Sequence, residues 1–472
     1  MPTPSRASAI AAGKVYMSSG AFAAELAARV AHPTASQDLP ASLPALTKYL
    51  TDEIVPAFEV MGFTTRLYPN PTAGQGPILL ATRIEDPTFV TVLGYGHGDV
   101  IRGQDALWTK GAGPWTLQRD GDKLYGRGTA DNKGQHTINM AALRIVLEQR
   151  GGKLGFNAKF IIEMAEETGS VGLHDCIRAH KTDFAADLFL GSDGPRVQAE
   201  RPTIVLGNRG GALFDLVCDL RRGGHHSGNW GGLLADPGLI LAHALASITS
   251  PTGEILIPEW RPKPLPSVIR DSLADVTIDG GADGPAVDEW WGEPGLTGPE
   301  KVYAWNSFAV LAMKSGIPEA PVNAIAPVAR ARCQLRMVVD TDEADVLPAL
   351  RRHLDARGFQ RVVIEQPAES GKFRATRTMP DHPWAVWAKR SMETTIGTTN
   401  AVKPAVLPGT GGGVPNDAFQ EILGMPTLWV PHSYPGCSQH APDEHMLLSV
   451  AANAMDLMTG LYWDLGEKGL PK

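Results

Sequence analysis

Two adjacent carboxylates, Glu166 and Glu167, close the apolar run 159–165, and three other runs end in residues able to bind a metal. Residues 89–96 lead into His97-Gly98-Asp99, residues 186–191 into Ser192-Asp193, and residues 426–431 through a short loop to His440. Short apolar runs bounded by Gly or Pro read as buried parallel strands. In open α/β sheets ligands sit beyond the carboxyl ends of such strands. Imidazoles and carboxylates collected there have the donor types of a metal site with its own general base.

Each residue also has a plainer reading. In extended chain, residues two apart project to one side, so His97 can offer one ring nitrogen to a metal while Asp99 holds the other N–H. Asp131 stands just before a helix expected over 133–150, where Asp is a common N-cap. A carboxylate there can equally bridge two cations through its two oxygens. Glu166 and Glu167 point to opposite sides if extended, so one can ligate while the other handles protons. Asp193 alone reads as a turn residue beside Gly194. His440 lies in a loop before a helix expected over 444–461 and is the better ligand; His445 falls inside that helix start and reads as structural. The remaining histidines, His136 and His432 among them, read as surface or satisfied core groups.

The elements that must position these residues follow from the pattern. At 472 residues the chain exceeds one hydrophobic core. Residues 20–62 carry helical spacing, and the helix over 133–150 stops at Gly151-Gly152. Strands alternating with helices predict a mixed, mostly parallel α/β sheet sandwiched by helices. The rhythm changes after Gly210. A half-exposed strand (213–220), a Gly-rich turn (223–232) and a helix (239–248) precede an irregular insertion, 251–299, whose Ile255, Leu256, Ile257, Trp260, Trp290 and Trp291 call for burial. Strands over 302–313 and 329–339, a helix over 341–357 and a strand over 361–365 complete a ferredoxin-like order. The doubly wound pattern resumes with a helix over 384–396. The expected division is therefore 1–210 and 379–472 as two parts of one α/β domain, with 211–378 as an inserted α+β domain.

Composition narrows the function classes. Apolar content of 43% and charged content of 20% are those of an ordinary globular protein. A net charge of −8 gives no reason to expect nucleic acid or an anionic membrane as partner. Cys176, Cys218, Cys333 and Cys437 are far apart, which argues against a disulfide scaffold or a cysteine zinc site and fits a reducing cytosol. No run approaches the ~18 apolar residues of a membrane span. The expectation is a soluble cytoplasmic protein.

Taken together, His97-x-Asp99, Gly126-Arg127-Gly128-x-x-Asp131-x-Lys133-Gly134, Glu166-Glu167, Ser192-Asp193 and His440-Ala441-Pro442-x-Glu444 closely resemble the co-catalytic zinc metallopeptidases. This is the family of aminoacylase, carnosinase, glutamate carboxypeptidase, acetylornithine deacetylase and succinyl-diaminopimelate desuccinylase. The resemblance runs in order over nearly the whole chain. It implies two zinc ions per subunit, with manganese or cobalt as possible substitutes. His97 and Asp193 would hold one, Glu167 and His440 the other, and Asp131 would bridge them. Glu166 would be the general base that activates water and later protonates the amine, Asp99 would orient His97, and the peptide after Asp131 would be cis. The resemblance makes 1–210 and 379–472 the catalytic domain and the inserted 211–378 the family's lid or dimerisation domain. There His226 of His226-Ser227-Gly228 matches a histidine that reaches the neighbouring subunit's site, which implies a homodimer formed through the lid. Arg336 matches an arginine that holds the substrate carboxylate.

One departure is visible. The Gly-Gly-Ser-Ile-Pro turn of the dipeptidase branch stands here as Gly411-Gly412-Gly413-Val414-Pro415. The N–H groups of Gly412 and Gly413 could still bind a carboxylate. Asp193 argues against the carbamoyl-amino-acid hydrolases, which usually carry His there. Length, the 251–299 insertion and His226-Ser227-Gly228 look most like carnosinase-type dipeptidases. The reaction implied is hydrolysis of a dipeptide or a C-terminal peptide bond. The alternative is an N-acyl-amino-acid deacylase of the aminoacylase type, and a remote third reading is a non-catalytic metal-binding interaction protein.

Overall fold

A computed structural model describes residues 4–278, 285–367, 373–397, 402–467 and 470–471. Its central feature is an eight-stranded sheet in the order Thr64–Tyr68, Ile78–Arg83, Asn157–Glu163, Thr91–His97, Leu188–Gly191, Thr427–Trp429, Thr203–Val205, Ala405–Leu407. Thr91–His97 runs parallel to both neighbours, and Thr427–Trp429 runs parallel to Leu188–Gly191. The first two pairings and the contact between Trp429 and Val205 are antiparallel, so the sheet is mixed with a parallel centre. Side chains alternate across it. Val92, Phe160 and Ile162 enter one buried core, while Leu93, Tyr95 and Ile161 enter the other. The helices Arg6–Ser18, Lys133–Gln149 and Leu448–Leu465 cover the first of these faces. Because Thr91–His97 and Asn157–Glu163 are in register to their ends, with His97 opposite Glu163, the segments leaving them lie side by side.

A second, four-stranded antiparallel sheet has the order Ser307–Ser315, Val328–Met337, Gly210–Asp219, Val363–Glu365. With the helices Pro237–Ala246 and Val346–Ala356 packed into its core, this is the ferredoxin-like arrangement.

Several expected boundaries shift, each for a local reason. The strand expected over 302–313 begins only at Ser307, because Gly298–Tyr303 is a short helix. Thr297 and Glu300 form its capping box and Pro299 occupies the first turn. The helix expected from 341 starts with a 3-10 turn, Glu343–Asp345, before Val346–Ala356. The helix expected over 444–461 starts at Leu448, since His445–Leu447 pairs as a strand with Lys123–Tyr125. His445 is therefore not helical: it is buried with its Nε2 2.5 Å from the Tyr434 hydroxyl. In the insertion, whose residues 279–284 lie outside the described residues, Ile255, Ile257 and Trp260 are buried as expected. Leu256, Trp290 and Trp291 are instead exposed, the two tryptophans meeting edge to face at 5.5 Å.

Candidate metal centre and its cavity

His97 ends its strand fully buried. Its Nδ1 lies 3.0 Å from the Asp99 carbonyl oxygen and 3.6 Å from Asp99 Oδ1, so the main chain of Asp99 makes the closer contact. The Asp99 carboxylate accepts the amide N–H groups of Glu166 and Glu167, each at 3.1 Å. Those amides open a 3-10 turn, Glu166–Thr168, where they have no partner inside the turn. The two glutamates are thus spread by a turn rather than by the alternation of an extended strand.

The other ring nitrogen, His97 Nε2, stands 2.9 Å from Asp131 Oδ1 and 3.6 Å from Asp193 Oδ2. His440 Nε2 stands 3.1 Å from Asp131 Oδ2 and 2.9 Å from Glu167 Oε2. Two triads result, His97–Asp131–Asp193 and Asp131–Glu167–His440, with the donor atoms of each within 4.8 Å of one another. Zinc bonds to nitrogen and oxygen are about 2.0–2.2 Å, which places donors around one ion roughly 3–4 Å apart. The donor types and spacing fit a divalent cation in each triad, with Asp131 offering one oxygen to each.

The electrostatics point the same way. Among the described residues, no lysine or arginine forms an ion pair with Asp131, Glu166, Glu167 or Asp193. Burial pushes Glu166 well above the usual carboxylate range, with His97 opposing. Burial and then repulsion from Asp131 bring Glu167 up to about 7 and Asp193 up to about 6. Burial also acts against ionisation of Asp131, but hydrogen bonds from His440 and His97 outweigh it and hold that carboxyl low. The Asp131 and Glu167 oxygens in turn raise His440 to about 11. Crowded, buried carboxylates without side-chain cations favour protons or metal ions.

Asp131 is placed by a residue that sequence reasoning treated only as part of a motif and a helix start. Glu444, 1% exposed, accepts N–H groups from Gly128 (3.1 Å), Ala130 (2.9 Å) and Asp131 (3.0 Å), and pairs with Arg127 at 2.8 Å. Gln439, also passed over, donates to Asp131 Oδ2. The only signal for either was its closeness in sequence to His440. The Asp131–Asn132 peptide is cis. Asp131 itself caps nothing: the helix Lys133–Gln149 has Asn132 at its N-cap. His432 is a buried core group whose Nε2 lies 2.9 Å from Ser192 Oγ and 3.0 Å from Asn139 Oδ1, while its Nδ1 is buried without a hydrogen-bond partner.

A cavity of about 420 Å³ opens beside the triads. Asp131, Asp193 and His440 line it, as does Glu166, which belongs to neither triad. The turn Gly411-Gly412-Gly413 forms another wall. The Gly412 N–H lies 3.3 Å from Thr410 Oγ1. A Cβ at Gly413 would stand 2.7 Å from Phe373 Cδ2, so this fold has no room for a serine there without moving that ring. His226 and Arg336 do not line the cavity of their own chain. His226 is exposed on the lid, where its Nδ1 accepts the Gly228 N–H at 3.1 Å. Arg336 is half-buried on Val328–Met337, its Nε donating to Gln334 Oε1 at 3.2 Å.

The model of Peptidase family M20/M25/M40 matches residues 93–464, a stretch that contains both triads and Glu166. The chain belongs to this family. It is a metal-dependent peptidase by that membership. Among M20-related proteins, it is 27% identical to human Beta-Ala-His dipeptidase over 389 residues, covering 78% of this chain and 73% of the relative. It is 28% identical to the Cysteinylglycine-S-conjugate dipeptidase of Corynebacterium striatum over 358 residues, covering 73% and 74%. The fold matches an M20 family metallo-carboxypeptidase, Sso-CP2 from Sulfolobus solfataricus, with a TM-score of 0.76 at 22% identity over 94% of this chain and 99% of that one. Human carnosine dipeptidase 1 matches with a TM-score of 0.72 at 23% identity over 98% and 100%.

Proposed function

We propose that this M20 chain is a dinuclear metallodipeptidase that hydrolyses the amide bond of a dipeptide or a C-terminal peptide bond. The observation that carries the reading is the pair of buried triads sharing Asp131, with Glu166 in the same cavity but outside both. His97 and Asp193 would hold one ion, Glu167 and His440 the other, and Asp131 would serve both. Zinc suits the nitrogen and oxygen donors, and manganese or cobalt can substitute. When bound, two such cations lower the pKa of water and polarise a carbonyl.

The chain's own residues do the rest. Glu166 takes the proton of the attacking water and delivers it to the departing amine. Burial raises its pKa, which makes it a stronger base than a solvated carboxylate. Asp99 fixes both ends of the arrangement, holding His97 through its carbonyl and the Glu166–Glu167 turn through its carboxylate. Arg336 and the N–H groups of Gly412 and Gly413 receive the substrate carboxylate, and the partner subunit's His226 donates to the oxyanion. The homodimer this requires forms through the lid, whose edge strand Ser307–Ser315 exposes Val310, Leu311 and Met313. Four free, buried cysteines fit a reducing cytoplasm, and among the described residues no helix is long and apolar enough to cross a membrane.

The test is a substrate panel of dipeptides and N-acyl amino acids, run with metal-loaded and with chelator-stripped protein. Metal-dependent turnover favouring dipeptides is expected. Preference for N-acyl amino acids would make the chain a deacylase, and no turnover of either class would make it a binding protein.

A further inference from the structure

We propose that the cavity beside the triads selects substrates with an apolar side chain and rejects those with a cationic one. The inference rests on the dipeptidase reading and names its substrate class. Away from the triads the cavity wall is largely apolar, with Val205, Val302, Leu407 and Val414, and carries the polar side chains Tyr303 and Thr410. Among the described residues, the only carboxylates lining it are Asp131, Glu166 and Asp193, all committed to the metal centre and its proton chemistry. The remaining charged group of the wall is a cation. Arg196 is 2% exposed, and its contacts are to the carbonyl oxygens of Pro431 at 3.3 Å and Ala199 at 3.2 Å. Its Nη2 is buried without a hydrogen-bond partner, and the carboxylate that acts on its charge, Glu200, does so without a direct ion pair.

A lysine or arginine side chain entering this space would leave water for a largely apolar wall, with a like charge behind it and, among the described residues lining it, no free carboxylate to meet it. A leucine-sized side chain would lose only its hydration shell, which is favourable. Because the unpartnered Arg196 nitrogen is closed off from the solvent side, the arginine acts through its charge rather than as a hydrogen-bond donor to substrate.

The experiment measures kcat/KM on the metal-loaded homodimer for two series, X-Ala and Ala-X, with X as Ala, Leu or Lys. Leucine is expected to exceed lysine by about tenfold or more in at least one series. In Val302→Glu, which adds a carboxylate to the wall, that ratio should fall by about tenfold. The wild-type series decides the proposal even if the variant does not fold. Lysine equal to or better than leucine in both series, with Ala-Ala still hydrolysed, would overturn the specificity and leave the dipeptidase standing. Failure to hydrolyse any member would overturn the dipeptidase reading, and this proposal with it.

Discussion

Asp131 turns one carboxylate oxygen toward His97 and the other toward His440, so the two triads meet at a single residue, and whatever occupies them competes with protons at the carboxylates beside it. The competition has a direction. Glu167 and Asp193 are raised to about 7 and about 6, so each holds a proton below those values and must release it for a cation to bind. Metal affinity should therefore fall as pH falls through this range. Dialysis of the metal-loaded protein near about pH 5 should strip ions that survive dialysis near about pH 8. Equal retention at both would contradict the assignment of Glu167 and Asp193. The triad residues were legible in the sequence because donor types follow apolar runs, and a strand end is a place where chemistry collects. Glu444 was not legible, since its partner amide at Asp131 is 313 residues away and only the folded chain brings them together.

At the scale of elements, the Glu444 carboxylate gathers three amides of the loop before helix Lys133–Gln149. Glu444→Ala would leave Arg127 buried without its partner and several amides unpaired. Breaking a buried pair in this way costs about 3–5 kcal/mol, so thermal unfolding should shift down strongly, and metal binding should weaken as Asp131 loses its support. Glu444→Gln should cost less. Unfolding and metal titration of the two variants beside wild type check this; unchanged metal affinity in Glu444→Ala would show that the loop keeps its shape by other means. The parallel centre of the sheet was readable because both faces are buried, which leaves runs that are apolar throughout. Boundaries failed where the deciding partner was remote or the signal was brief. The strand His445–Leu447 exists only by pairing with Lys123–Tyr125. The start of Gly298–Tyr303 was written in the Thr297-x-x-Glu300 capping box, inside a stretch too rich in Gly and Pro to show periodicity.

At the scale of the whole molecule, the account needs two subunits, because His226 is exposed and does not line the cavity beside the triads in its own chain. Glu166→Gln and His226→Ala should each be nearly inactive; an oxyanion donor is typically worth about 10²–10³ in rate. After subunit exchange, a mixed dimer has one site with both lesions and one intact. Half the dimers being mixed, activity should return to about a quarter of wild type at most. No recovery despite proven exchange would confine the site to one chain. Beneath this lies the claim that metal holding and proton transfer are divided between adjacent glutamates, and one measurement tests it most directly. Glu166→Gln, loaded with zinc and assayed for metal content and turnover on the same sample, should retain two ions per chain while turnover falls by about 10²–10⁴. Loss of an ion in step with activity would contradict the account and make Glu166 a ligand.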